Sequence, residues 1–345
     1  MSKRLGKHTV ALPGRPGVLG WASAAGAKED SGPYGGRFDT VIRDEWNGQK
    51  TFEAAERSML ETTISLCAEH AGCSMTDVQM LLAGDLLNQI VSAGFAARSL
   101  GLPFYGLYGA CSTMSESLSL GAMLTDGGYA DRLICATCSH FCTAERQYRA
   151  PLEQGGQRTP TAQWTVTGAG AVMLGGGTLA KHADVVLTHT TASRVIDLGI
   201  ADANNMGAAM APAASDTIES HLRDTGRKPA DYDLIATGDL GTLGQDLMAE
   251  LLRQKGISLS GTQLFDCGKA IFSPEQDAHC GGSGCGCSAC MLCAHLLPAV
   301  ASGDIRRMLF LATGALLSTT TSMQGETIPG IAHAVVFEHA KGARQ

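Results

Sequence analysis

The sequence is poor in charge and in aromatic rings: only 17% of its 345 residues are charged and 5% are aromatic, against 44% hydrophobic. That balance excludes a disordered chain, which needs few apolar residues and a high net charge. Basic residues are in deficit, 26 against 33 acidic, giving a net charge of −7. No basic stripe is present to release counterions from phosphates, so nucleic acid is excluded as a main partner. Lys3, Arg4 and Lys7 open the chain with no apolar stretch behind them, so no secretory signal is expected. The longest stretch without charge, residues 278–303, is Gly/Ser/Cys-rich in its first third and carries Pro298. It reads as a buried core helix rather than a membrane span.

The chain does have twelve cysteines. Without a signal segment they read as free thiols in a reducing compartment, most of them serving as small buried hydrophobes. The glycine count of 43 suits a compact α/β protein, and the length allows two or three domain-sized units.

The main organisational feature is a duplication. Val78-Gln79-Met80-Leu81-Leu82-Ala83-Gly84-Asp85-Leu86 is an apolar strand ending in Gly-Asp-Leu, and Tyr232-Asp233-Leu234-Ile235-Ala236-Thr237-Gly238-Asp239-Leu240 repeats it. A helical pattern precedes each, over Phe52–His70 and over 215–224. Further on, Gly109-Ala110-Cys111-Ser112 and Cys285-Gly286-Cys287-Ser288 each open a helix that leads to an apolar strand ending in Ala-Thr. Aligning Thr137 with Thr313 sets Cys111 against Cys287. The expectation is an α/β fold of two pseudo-duplicated αβα halves, 1–177 and 178–345, hinged near Gly175-Gly176-Gly177, with mixed sheets covered by helices. The polar segment 143–163 reads as a loop over the site.

Tyr108-Gly109-Ala110-Cys111-Ser112-Thr113 places a cysteine where a strand hands over to a helix. Backbone N–H groups and the helix dipole are expected to lower its thiol pKa there. Such a thiol is a nucleophile for acyl transfer or a contact for a ligand.

The duplicated α/β pattern with a Gly-Ala-Cys-Ser elbow is thiolase-like. More narrowly, the chain resembles the stage V sporulation protein AD family from end to end. The phrases that carry the resemblance are Leu81-Leu82-Ala83-Gly84-Asp85-Leu86-Leu87-Asn88-Gln89, Gly109-Ala110-Cys111-Ser112-Thr113, Thr143-Ala144-Glu145-Arg146-Gln147 and Ala209-Met210-Ala211-Pro212-Ala213-Ala214. Gly281-Gly282-Ser283-Gly284-Cys285, Ala312-Thr313-Gly314-Ala315-Leu316-Leu317-Ser318 and Ile331-Ala332-His333 complete them. The resemblance implies a thiolase-like fold and a protein that binds dipicolinate (pyridine-2,6-dicarboxylate) for uptake into the developing spore. It also implies sporulation membrane proteins as partners, a homodimer, and a peripheral place at the spore inner membrane.

Thiolase-like condensing enzymes draw two further catalytic groups, a histidine and a histidine or asparagine, from the second half. The matching stretches here, Thr237-Gly238-Asp239-Leu240 and Gly282-Ser283-Gly284-Cys285, hold no imidazole. A cysteine without a general base or a donor pair loses the decarboxylation and Claisen steps. The reading is therefore a non-catalytic binding protein with no cofactor. The alternative is a cysteine-dependent acyltransferase or condensing enzyme using Cys111, with His279, His140 or His333 as substitutes for the missing groups.

The candidate ligand contacts are Asp85, Cys111, His140, Lys28, Arg146 and Arg149. Asp85 closes its strand either as a helix cap or as a polar contact to ligand. An ionised Asp85 beside a dianion calls for a bridging Ca²⁺ or a raised pKa. Asp239 is its repeat partner and ranks below it. Lys28, Arg146 and Arg149 are the cations a dicarboxylate needs, if they are not solvated surface charge. His140 sits at a strand end, where α/β sheets bind ligands, or is a satisfied core histidine. Cys138 and Phe141 flank it where the family phrase has small polar residues. The series Cys285, Cys287, Cys290 and Cys293 reads as helix packing rather than as a zinc or iron–sulfur site, and no metal ligand is assigned.

Overall fold

The computed structural model describes residues 2–149, 158–259 and 264–342. The apolar repeats become strands flanked by helices, as their periodicity requires. Thr51 caps Phe52–His70 by accepting the Ala54 N–H, and this helix buries Met59, Leu60 and Ile64. Its counterpart begins at Met206 rather than at 215 and runs to Thr225, carrying Pro212 inside a run of small buried residues.

Each half builds the same five-stranded order. In the first, the strands lie Phe104–Gly106, Met80–Gly84, Arg132–Ser139, Gly168–Gly175, Gly17–Gly26. In the second they lie Leu264–Asp266, Leu234–Thr237, Arg307–Leu311, Ala334–His339, Val185–Thr191. In both halves the first three strands pair in parallel and the fourth runs antiparallel to both of its neighbours, so the sheets are mixed. The sheets are not separate: Gly17 pairs with Val186 and joins them edge to edge in one twelve-stranded sheet. The short strand Thr9–Ala11 pairs with Val185–Thr191, so the chain's first strand is part of the second half's sheet.

Phe52–His70 and Val91–Leu100 cover the outer face of the first half, and Met206–Thr225 and Gly241–Gln254 that of the second. The two helices that follow the elbows, Thr113–Asp126 and Cys285–Met291, pack inside. The first touches the second half's strands Ala334–His339 and Val185–Thr191, and the second lies on Gly168–Gly175. Gly170 allows that approach, since a Cβ there falls 2.4 Å from the Ala289 carbonyl oxygen. The run 278–303 supplies one continuously helical stretch, Cys285–Ser302, apolar and long enough to cross a membrane, but 72% of it is buried inside the fold. The start of the segment expected as a loop over the site is instead helix Phe141–Arg149; residues 150–157 of it lie outside the described residues.

Candidate functional site

The first elbow is a tight one. Ala110 adopts φ 50°, in the left-handed region, and Ser112 and Thr113 each turn a hydroxyl back to a carbonyl of the elbow, Gly109 and Ala110, at 2.7 Å. This sets Cys111 at the head of Thr113–Asp126, 7% exposed, in the wall of a cavity of about 320 Å³. That volume is in the range of small-molecule sites. Both halves line it. Leu86 and Asn88 come from the loop after the Gly-Asp-Leu strand, Glu145 and Tyr148 from Phe141–Arg149, and Ser283 and the segment 315–320 from the second half.

Behind Cys111 lies Asp239, fully buried. Its carboxylate accepts the Thr313 hydroxyl at 2.6 Å and the Gly284 N–H at 2.9 Å, and it faces the Cys111 thiol. Burial raises Asp239 to about 7. Burial first, and then the Asp239 charge, push the Cys111 thiol well above its ordinary value. The expected lowering by the helix terminus is therefore overturned: desolvation and a facing carboxylate outweigh a dipole. Cys285 donates its thiol to the Ala110 carbonyl at 3.1 Å and is likewise held protonated by burial.

Of the six candidate contacts, Cys111 alone is on the cavity wall among the described residues. Asp85 is fully buried and spends both oxygens on backbone, accepting the Leu87 and Ala93 N–H groups at 2.8 Å each. Burial raises it to about 6; burial first, and then the charge of Asp85, push the neighbouring Glu56 carboxyl well above its ordinary value. His140 is fully buried, stacked on Phe52, and accepts the Cys142 N–H through Nδ1 at 3.2 Å; burial lowers it to about 4. Lys28 donates to the Gln276 carbonyl at 2.7 Å with its ammonium 4.0 Å from the centre of the Trp164 ring, and desolvation lowers it. Arg146 pairs with Glu53 at the surface. Arg149 ends its helix, and its side chain lies outside the described residues. His279 and His333 are not on the cavity wall either; His333 accepts the Ser193 N–H at 3.3 Å.

The wall holds groups that the sequence reading did not single out. Tyr108 and Tyr148 face each other with their hydroxyls 3.4 Å apart, and Tyr108 donates to Asn88 Oδ1 at 3.3 Å. Glu145 is buried, accepts the Thr165 hydroxyl at 2.8 Å and pairs with Arg158 at 3.4 Å. Glu145 and Tyr148 are three apart on one helix and so share a face, a spacing visible once 143–149 is read as helix. Among the described lining residues there is no lysine or arginine. Cys285, Cys287, Cys290 and Cys293 are all buried, and among the described residues no group of three or more His, Cys, Asp or Glu is placed to hold a metal ion.

A profile of the stage V sporulation protein AD family matches residues 6–338. The chain belongs to that family. It is 45% identical over 341 residues to the stage V sporulation protein AD of Bacillus subtilis (strain 168), covering 99% of each. Family membership fits the duplicated topology. Acetyl-CoA acetyltransferase from Syntrophomonas wolfei matches with a TM-score of 0.64 at 10% identity, covering 95% of this chain and 99% of that one. 3-Oxoacyl-[acyl-carrier-protein] synthase III from Aquifex aeolicus VF5 matches with a TM-score of 0.58 at 12% identity, covering 94% and 99%. At such identities these likenesses establish the thiolase-like fold alone. The chain is thus a thiolase-fold member of a sporulation family.

Proposed function

We propose that this protein is a non-catalytic binding protein for dipicolinate, free or as its calcium chelate, serving uptake into the developing spore. The observation that carries the reading is at Cys111. The cavity keeps the elbow of an acyltransferase, but the thiol faces a carboxylate instead of an imidazole. A protonated thiol beside Asp239 is a contact, not a nucleophile. The wall offers hydroxyls, an amide and the Glu145 carboxylate. Among the described residues the wall itself carries no cation, and the nearby Arg158 is already paired with Glu145. Oxygen-rich walls of this kind suit a ligand whose charge is already offset, and so favour dipicolinate carrying calcium. In this reading the protein works beside membrane proteins of the same uptake system, at the spore inner membrane and as a homodimer, as the sequence resemblance implies.

Calorimetric titration of the purified protein with dipicolinate, with and without equimolar Ca²⁺, tests it. Saturable binding that is tighter with calcium is expected. Absence of heat under both conditions sinks the proposal and returns the elbow to acyl-transfer chemistry.

A further inference from the structure

The loop that follows Asp85 is held in place against its own backbone preference. Asp85 takes the Leu87 N–H on one oxygen and the Ala93 N–H on the other, both at 2.8 Å. Ala93 lies in the first turn of Val91–Leu100, so one buried carboxylate closes a turn and also caps a helix. Between these two anchors Gln89 and Ile90 adopt φ 57° and 49°. Sterics disfavour the left-handed region for any residue with a Cβ, and most of all for a β-branched one.

The same loop covers the site. Leu86 packs in one buried apolar cluster with Cys111, Ala144 and Cys285, with Tyr148 against it. Its carbonyl accepts the Tyr148 hydroxyl and, at 3.2 Å, the Gln147 amide; the Asn88 N–H donates to Gln147 Oε1 at 3.0 Å. Loop and helix Phe141–Arg149 are therefore fastened together along one edge of the cavity. The helix is fixed in turn from below, where Thr143 donates to Glu56 at 2.7 Å.

We infer that residues 86–90 form a hinged flap over Cys111, with Gln89 and Ile90 as its hinge, Asp85 as its latch and Tyr148 as its stop. Swinging outward relaxes two left-handed residues and gives up the bonds to Asp85, Gln147 and Tyr148. Those opposing terms keep the open position within thermal reach, and backbone strain kept at a site edge is the mark of such a device. The flap concerns access to the cavity and stands whatever ligand occupies it.

The test is the labelling rate of Cys111 in the full chain by methyl methanethiosulfonate, a small neutral probe, followed site by site by mass spectrometry. Gln89 is exposed, so its replacement changes the hinge and little else. Gln89→Gly removes the left-handed penalty of the closed position and is expected to slow labelling by about fivefold. Gln89→Val raises that penalty and is expected to speed it by a similar factor. Asp85→Asn leaves one acceptor for two N–H groups and is expected to speed labelling further. Hydrogen exchange of Phe52–His70 reports whether each variant is folded, and if Asp85→Asn is not, the Gln89 pair decides. Rates unchanged by both Gln89 substitutions, or moved in the same direction, with that helix still protected, overturn the flap. Opposite shifts in a protein that binds no dipicolinate keep the flap and remove only the ligand assignment.

Discussion

The carboxylate of Asp239 lies behind the thiol of Cys111, across the junction of the two halves, and its charge adds to burial in pushing that thiol up. Both partners are repeat products. Asp239 ends the second Gly-Asp-Leu strand as Asp85 ends the first, and Cys111 opens the first elbow helix. Asp85 faces its own half's backbone, whereas Asp239 reaches the other half's cysteine.

The pair predicts an unreactive cysteine. At pH 8 Cys111 is expected to react with iodoacetamide at least about tenfold more slowly than free cysteine, since each unit of raised pKa costs a factor of ten in thiolate. Asp239→Asn keeps an acceptor but removes the charge, and should accelerate the reaction by about tenfold. Alkylation of the wild type at the free-cysteine rate, or an acyl adduct by intact mass after incubation with acyl-CoA, would restore the condensing-enzyme reading.

Filling the cavity is expected to remove ligand binding without unfolding the chain. Ala144 lies on its wall and is 3% exposed. Ala144→Trp should abolish the calorimetric signal for dipicolinate while overpacking costs about 1–3 kcal/mol, a fall of several degrees in Tm. Undiminished binding in this variant moves the ligand elsewhere.

Glu29 gives a pH test remote from the cavity. It is 1% exposed, accepts the Thr167 N–H at 3.1 Å, and burial raises it to about 7. A carboxyl raised on folding contributes stability that is complete below its unfolded value near 4.5 and is lost as pH rises through 7. Glu29→Gln does not titrate, so its stability relative to wild type should rise by about 3 kcal/mol between pH 4 and pH 8 in urea unfolding. A difference that stays constant across that range would show that folding leaves the Glu29 carboxyl unshifted.

His221 behaves in the opposite sense. Fully buried, it bonds the Tyr232 hydroxyl at 2.5 Å and the Thr191 hydroxyl at 2.7 Å, and burial lowers it to about 3. A histidine lowered on folding contributes stability that is complete above 6.5 and is lost as pH falls toward 3. His221→Gln should cost about 2 kcal/mol at pH 7 through its broken bonds, with dipicolinate binding unchanged. The deficit should shrink by about 2 kcal/mol on going to pH 5, because only the wild type has a proton to take up on unfolding. A deficit that holds steady or widens would place a charged His221 in the folded state.

The strands, their repeat and the elbow were legible because each is local: an apolar run, a Gly-Asp-Leu ending, a Gly-Ala-Cys-Ser turn. The joining of the sheets through Gly17 and Val186 was not, because it depends on a single pair far apart in sequence. The site was legible only in part. Cys111 is marked by its motif, but charge alone could not tell a ligand contact from a structural partner. Lys28 and Arg146 carry the right charge and spend it on Gln276, Trp164 and Glu53. Asp85 fits a helix cap and a ligand contact equally well in sequence, and its two backbone bonds show the cap. Tyr108 and Glu145 lie within the quoted phrases and Tyr148 just beyond one, but their place on the cavity wall emerges only when two segments distant in sequence meet.

The placement of Cys285–Met291 on Gly168–Gly175 has a consequence for how the protein is made. As the chain leaves the ribosome, the first half's sheet can be completed once Gly168–Gly175 joins Gly17–Gly26. Thr113–Asp126 covers part of its inner face, but the part over Gly168–Gly175 that Cys285–Met291 fills stays open until that helix has been synthesised. At about 5–20 residues per second that interval is several seconds, long enough for a half-covered sheet to meet another nascent chain. Synthesis of this protein should therefore depend on chaperones that shield the first half while the second is still being translated.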